Sequence, residues 1–416
     1  MSKFITFKQW LNEAITPTVN KHMTHAEDLV ILGGKEGLDW VIDMFKQLHE
    51  KLKSDTEKSQ IKLSVKFDGA PSVFVWSKFT GLEGPGLAIK ALFAKERKVM
   101  STDEQIDHYY GEQKDLGFKL KTMLKYIPSL GIPENEIWQG DFLFDKTTLG
   151  KDSEHYSFHP NTIVYKVDTD SDLGEKISKA DIGVVWHTRY TGESVTDISA
   201  KYNTKTDELK ENPKVFMTDP YIPSLAGIVT LTEEENNAFD TLIEKLEASA
   251  RNFGQSQEYK IILGNTEFTT LFTTFQNSLI RQNVHVSKVE DFLTKFAEFI
   301  NNRFEKDIEA KKTPKSKEAL AEKQQKMIAI TEAEEVKSIT ALIIEITSLK
   351  DMFIKKLNNI NKFETFLETR SGRYISTGDE GFAVSDMHGN IVKLVDRYEF
   401  SYANFSPNIK KGWAPK

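Results

Sequence analysis

The residues whose types and spacing bear most directly on chemistry are Ser64-Val65-Lys66-Phe67-Asp68-Gly69-Ala70-Pro71-Ser72. A lysine amine attacks phosphorus only when uncharged, and a strand end of low dielectric is one way to lower its pKa. Lys66 has such a position. Ile61-Lys62-Leu63-Ser64-Val65 alternates as a half-buried strand does, and Val73-Phe74-Val75-Trp76 is a second strand-like run. Asp68 places a short acid two residues on, and Gly69 permits a sharp turn. The plainer alternative is a surface lysine before an Asp-Gly turn, so the rest of the chain has to supply partners.

The chain has 416 residues, enough for two or three domains. Its net charge is −7 and its pI about 5.8, so any nucleic-acid contact needs a local basic patch. It has no cysteine, which excludes disulfides, thiol catalysis and Cys-based zinc or iron–sulfur sites. No apolar run reaches membrane-span length, and the N-terminus lacks the apolar core of a signal peptide; no membrane partner is expected.

Residues 1–13 read as an amphipathic leader helix with Phe4, Phe7, Trp10 and Leu11 on one face. Residues 14–60 form a helical segment, with Leu38, Val41, Ile42, Phe45 and Leu48 at helical spacing. His22 and His25 fit a polar loop better than a ligand pair. Residues 61–230 are strand-rich. Leu87 to Phe93 reads as a strand, followed by the cationic Lys95-Glu96-Arg97-Lys98, and residues 104–130 read as a helix. Ile137-Trp138-Gln139-Gly140-Asp141-Phe142 is an apolar strand holding an acid, which is costly unless the acid is paired or at a site. Residues 231–368 read as an inserted helical bundle, opened by Thr232 before three acids. Its basic hinge, Lys311 to Lys317, is the one place in the block suited to nucleic acid. Residues 369–416 return to strands, with a hairpin turn at Asp386 to Asn390.

Taken in order, these motifs resemble those of the covalent nucleotidyltransferases, the polynucleotide ligases and RNA-capping enzymes. Lys66-Phe67-Asp68-Gly69 is similar to their nucleophile motif, and Trp138-Gln139-Gly140-Asp141 to a motif that usually ends Gly-Glu. Val164-Tyr165-Lys166-Val167 is similar to their aromatic-containing strand, Glu380-Gly381-Phe382-Ala383-Val384 to the Glu-Gly motif, and Val392-Lys393-Leu394 to the final lysine strand. The resemblance implies an α+β fold: a mixed or antiparallel-sheet ligase-adenylation core with an all-helical insertion. It implies a lysyl-AMP at Lys66, with ATP and Mg²⁺ as cofactors. Asp68, Gly69, Asp141, Tyr165, Glu380 and Lys393 would bind nucleotide, Glu380 and Asp141 would hold the metal, and Phe158 or Tyr165 would stack on the base.

The departures narrow the class. Val395 stands where the last motif commonly has a second lysine, leaving Arg397 or nothing in that role, and Pro71 stands in place of an arginine. The residues after Leu394 are too few for an appended oligonucleotide-binding barrel. A phage-type RNA ligase relative acting on 5′-phosphorylated RNA fits best. The first residues also resemble the capsid-targeting leaders of tailed-phage internal head proteins, with Leu11-Asn12-Glu13 before Ala14 as the processing site. The expected location is the capsid interior or the host bacterial cytoplasm. The alternative is a non-catalytic internal head protein with a degenerate nucleotide site, acting on a host protein.

Overall fold

The alternation through Ile61, Leu63 and Val65 forms a strand, Lys62–Lys66, inside a five-stranded sheet. This computed structural model describes residues 23–54, 60–89, 92–202, 204–222, 225, 229–360 and 363–413. The expected leader, Glu13, Ala14 and His22 lie outside the described residues. The sheet runs in the order Thr24–His25, Ile391–Leu394, Gly381–Ser385, Lys62–Lys66 and Tyr221–Ile222. All its pairs are antiparallel except the first. Leu63, Val65, Phe382, Val384, Val392 and Leu394 are buried along one face. Side chains alternate along a strand and paired residues project to the same side. Ser64, Lys66, Ala383, Lys393 and His25 therefore share the opposite face.

Two further sheets complete an α+β architecture. One runs Asp197–Tyr202, Ile182–Ser194, Glu136–Asp145, Ser72–Trp76 and Gly86–Ala88, with Val215–Thr218 paired parallel to the long Ile182–Ser194 strand. The other runs Tyr374–Ser376, Glu364–Glu368, Ile163–Asp168, His155–Phe158 and Gly150–Lys151. The segment from Lys66 to Ser72 crosses from the five-stranded sheet to the first of these.

The helical block spans Glu233–Ala250, Gln257–Gly264, Thr266–Arg281, Val289–Glu309, Pro314–Thr331 and Glu334–Leu357. Its start is a capping box. The Thr232 hydroxyl accepts from the Glu235 amide at 3.2 Å, and the Glu235 carboxylate accepts from the Thr232 amide at 2.8 Å. The core of the block is continuous with that of the sheet. Ile339, Ile346, Leu349 and Phe353 join Phe45, Leu63, Phe382 and Leu394 in one continuous apolar cluster. Phe353 stacks on Phe45 with ring centres 5.3 Å apart. Among the described residues no helix is long and apolar enough to cross a membrane.

Three expectations need correction. The helix expected over 104–130 is two helices, Asp103–Tyr110 and Lys114–Tyr126, parted at Gly111. The strand expected to reach Phe93 ends at Ala88. The helical block ends with Leu357 and a short turn to Ile360, well before residue 368. Glu364–Glu368 is instead a strand on Ile163–Asp168, with Thr365 and Leu367 buried at a period of two.

Candidate functional site

Lys66 is the last residue of its strand and pairs with Gly381, while Ala383 pairs with Lys393 on the next strand. One sheet thus brings together residues more than three hundred positions apart. Glu380 directly precedes Gly381, and its Oε2 lies 2.5 Å from Lys66 Nζ. Gly381 makes this register possible: its φ is +141°, and a Cβ there would sit 2.2 Å from the Leu394 carbonyl oxygen.

Asp141 approaches from the neighbouring sheet. Ser72 pairs with Asp141, and the Ala70 amide donates to the Phe142 carbonyl at 2.9 Å. Gly69 lies directly on Asp141, since a Cβ at Gly69 would come 2.6 Å from the Asp141 Cβ. His187 Nε2 lies 3.6 Å from Asp141 Oδ1. Burial pushes the Asp141 carboxyl up, but His187, with Lys66 and Ser72, outweighs it and holds the group below the usual range.

The electrostatics of Lys66 reverse the expectation that the strand end lowers its pKa. Burial does pull the amine down. The Glu380 carboxylate, assisted by Asp141 and Asp68, more than compensates and holds it above the ordinary lysine value. Glu380 is itself pushed up to about 7 by burial, against the pull of Lys66. Paired with the Glu380 carboxylate, Lys66 is held as an ammonium in the free protein. Lys393 differs: burial, then repulsion from Lys66, lowers its amine. Asp379, next to Glu380, is pushed up to about 7 by burial, and its Oδ2 is buried without a hydrogen-bond partner.

Asp68, expected at the nucleotide, is engaged within the protein. It is buried, and its carboxylate accepts from the Asn161 amide side chain at 2.7 Å and from the Thr162 and Ile163 backbone amides at 2.5 and 2.8 Å. It anchors the loop that returns to the third sheet. Tyr165 and Phe158, expected as alternative base platforms, lie in the aromatic core. Both are buried and stacked on each other at 5.2 Å, with Phe67 and Phe363 around them. The Tyr165 hydroxyl accepts from the Asp68 amide at 2.7 Å. Arg397 does not stand in for the missing second lysine. Its guanidinium donates to Asp28 at 3.2 Å and Asn277 at 2.6 Å, and sits 3.5 Å from Glu27.

Among the described residues, no group of three or more His, Asp and Glu side chains is arranged to hold a metal ion. Magnesium is commonly held by one or two carboxylates together with substrate phosphates. Glu380 and Asp141, both beside Lys66, fit that donor type. The two basic stretches are surface features. Lys95, Arg97 and Lys98 are exposed, with Lys98 over the Tyr109 and Tyr110 rings, and Lys311, Lys312, Lys315 and Lys317 are exposed around a helix start capped by Thr313. Sequence reasoning did not single out His187, Asp379 or Asn161 as site residues. The signal for Asp379 was its place beside Glu380 in a turn. A polar His187 inside an apolar strand was another, and Asn161 gave none.

A family model described as a family of unknown function (DUF6267) matches residues 20–410. No curated protein and no solved structure matches the chain.

Proposed function

We propose that this chain, which belongs to the family of unknown function DUF6267, is an ATP-dependent covalent nucleotidyltransferase that forms a lysyl-AMP at Lys66. The observation that carries the reading is the register of one sheet, in which the Lys66, Glu380–Gly381 and Lys393 motifs are strand neighbours with both lysines on one face.

In the reaction, the Lys66 ammonium passes a proton to the Glu380 carboxylate 2.5 Å away, and the neutral Nζ attacks the α-phosphorus of ATP, its remaining excess proton leaving to solvent. The N–P bond forms and the bond to pyrophosphate breaks. Lys393, whose amine is held on the same face, offsets charge on the α-phosphate. A divalent cation at Glu380 and Asp141 would supply further charge neutralisation there. AMP then passes to an acceptor, and 5′-phosphorylated RNA is the acceptor of the phage-type RNA ligases the motifs resemble. The capsid interior or host cytoplasm is the corresponding setting.

A second reading, a nucleotide-binding protein without transfer that acts on a host protein, draws on one observation. Val395 is buried and Arg397 is committed to Asp28 and Asn277, so the last motif supplies one cation where two are usual.

The test is incubation of the purified chain with α-labelled ATP and Mg²⁺, beside Lys66→Ala, followed by denaturing electrophoresis. Label on the wild type alone is expected. Absence of label with ATP, GTP and NAD overturns the transferase reading and leaves the binding protein.

A further inference from the structure

The Asp68 loop is held from outside by the last described residues of the chain, and these end in an exposed tryptophan. Lys410 donates its backbone amide to the Glu368 carbonyl at 2.8 Å, and its ammonium meets the Glu368 carboxylate at 2.7 Å. Lys411 Nζ donates to the Ala403 carbonyl at 2.8 Å and to the Thr162 hydroxyl at 3.2 Å. The Gly412 amide donates to the Asn161 carbonyl at 2.7 Å, and Gly412 packs so closely on His159 that no side chain fits there. Trp413 follows. Its indole N–H donates to Asn161 Oδ1 at 3.0 Å, while the same Asn161 donates through Nδ2 to Asp68 at 2.7 Å. The amide orientation of Asn161 is fixed from both ends.

Trp413 is nonetheless 71% exposed, the most exposed of the large hydrophobic side chains described. Trp76, Trp138 and Trp186 are fully buried. A tryptophan is costly to leave in water, and its N–H here is already satisfied within the protein. What remains open is the aromatic surface of a ring whose polar edge is bonded to Asn161 and whose preceding residue, Gly412, is bonded to the same Asn161. Such a ring loses little freedom on binding. The ring is two hydrogen bonds from Asp68, which lies two residues from Lys66, and lysines 410 and 411 precede it in the chain. A planar nucleobase suits an indole face presented in this way.

We propose that Trp413 is a nucleobase-stacking platform for the Lys66 site, filling the role that the buried Tyr165 and Phe158 cannot. The proposal rests on the nucleotidyltransferase reading for the identity of its ligand. The base belongs either to the mononucleotide or to the 5′-terminal nucleotide of the acceptor, and the chemistry of stacking is the same.

The test uses the full chain and tryptophan fluorescence, with the Trp413→Phe spectrum subtracted to isolate Trp413. AMP and a short 5′-phosphorylated oligoribonucleotide are titrated separately. Quenching by AMP assigns the mononucleotide base, and quenching by the oligonucleotide alone assigns the acceptor base. Trp413→Ala is expected to weaken binding of the quenching ligand roughly five- to a hundred-fold, and Trp413→Phe to recover most of it. The melting temperature serves as a control, since an exposed ring contributes little to folding. No quenching by either ligand, or equal dissociation constants for wild type and Trp413→Ala, overturns the proposal. AMP has no pyrophosphate to lose, so this readout does not depend on transfer. Label on Lys66 without quenching removes the platform and leaves the transferase standing. Quenching without label supports the platform and removes the transferase.

Discussion

Lys66 and Glu380 form a pair in which burial and charge oppose each other, and removing one partner exposes the other effect. With Glu380→Gln the carboxylate that raises the Lys66 amine is gone, while burial, which lowers it, remains. More of the amine is then neutral at a given pH. An amine-selective reagent at mildly alkaline pH should label Lys66 faster in Glu380→Gln than in the wild type, read by mass spectrometry against the exposed Lys62. Equal or slower labelling would mean that Glu380 does not hold the proton on Lys66. Asp68 makes a different kind of contribution. Asp68→Ala leaves the buried Thr162 and Ile163 amides without their acceptor. Each orphaned donor costs about 1–3 kcal/mol, so a loss of about 3 kcal/mol is expected in urea unfolding. A change below about 1 kcal/mol would show that water replaces the carboxylate.

At the scale of elements, the Gly381–Ser385 strand holds the site together, because it pairs with both lysine strands. Gly381→Ala puts a Cβ against the Leu394 carbonyl and demands a φ that L side chains rarely adopt. The expected cost is at least about 2 kcal/mol, with loss of Lys66 labelling by ATP beyond what stability explains. A variant of wild-type stability with unchanged labelling would count against the register as the organising feature. This strand also marks the limit of what the sequence discloses. Its motif was legible, as were the Lys62–Lys66 strand, the Asp386–Asn390 turn and the apolar stripe of Glu334–Leu357, since each is a local pattern. The commitment of Asp68 to Asn161, Thr162 and Ile163 was not legible, because it depends on a loop more than ninety residues away. Tyr165 was expected as a base platform from the resemblance alone, and alternation cannot say which face of Ile163–Asp168 meets the aromatic core. Glu364–Glu368 was absorbed into the helical block because five residues after a long helical stripe carry too little periodicity to separate.

For the whole molecule, the question is whether the helical block is an appendage or part of the sheet's foundation, and one buried ion pair decides it. Lys350 lies within the apolar face of Glu334–Leu357, and Glu27 lies just after the Thr24–His25 strand. They meet at 2.8 Å with 1% and 2% of their side chains exposed. Arg397, just past the Lys393 strand, sits 3.5 Å from the same Glu27 oxygen. Burial pushes the Glu27 carboxyl up, but Lys350, with His25 and Arg397, overcomes it and holds the group at about 2. The Glu27 carboxyl therefore stays ionised across the ordinary pH range. Breaking such a pair from one side leaves an uncompensated buried charge and costs about 3–5 kcal/mol. Lys350→Met should destabilise the protein by that amount, and Glu27→Gln combined with Lys350→Met should cost less than Lys350→Met alone, since no buried carboxylate is stranded. Because the apolar cluster is continuous from Phe353 to Phe382, the damage should reach the site. In hydrogen exchange, amides of Gly381–Ser385 and Ile391–Leu394 should lose protection together with those of Glu334–Leu357. If the helix loses protection while the Lys393 hairpin keeps it, the block is an independent unit and the shared core does not couple it to Lys66.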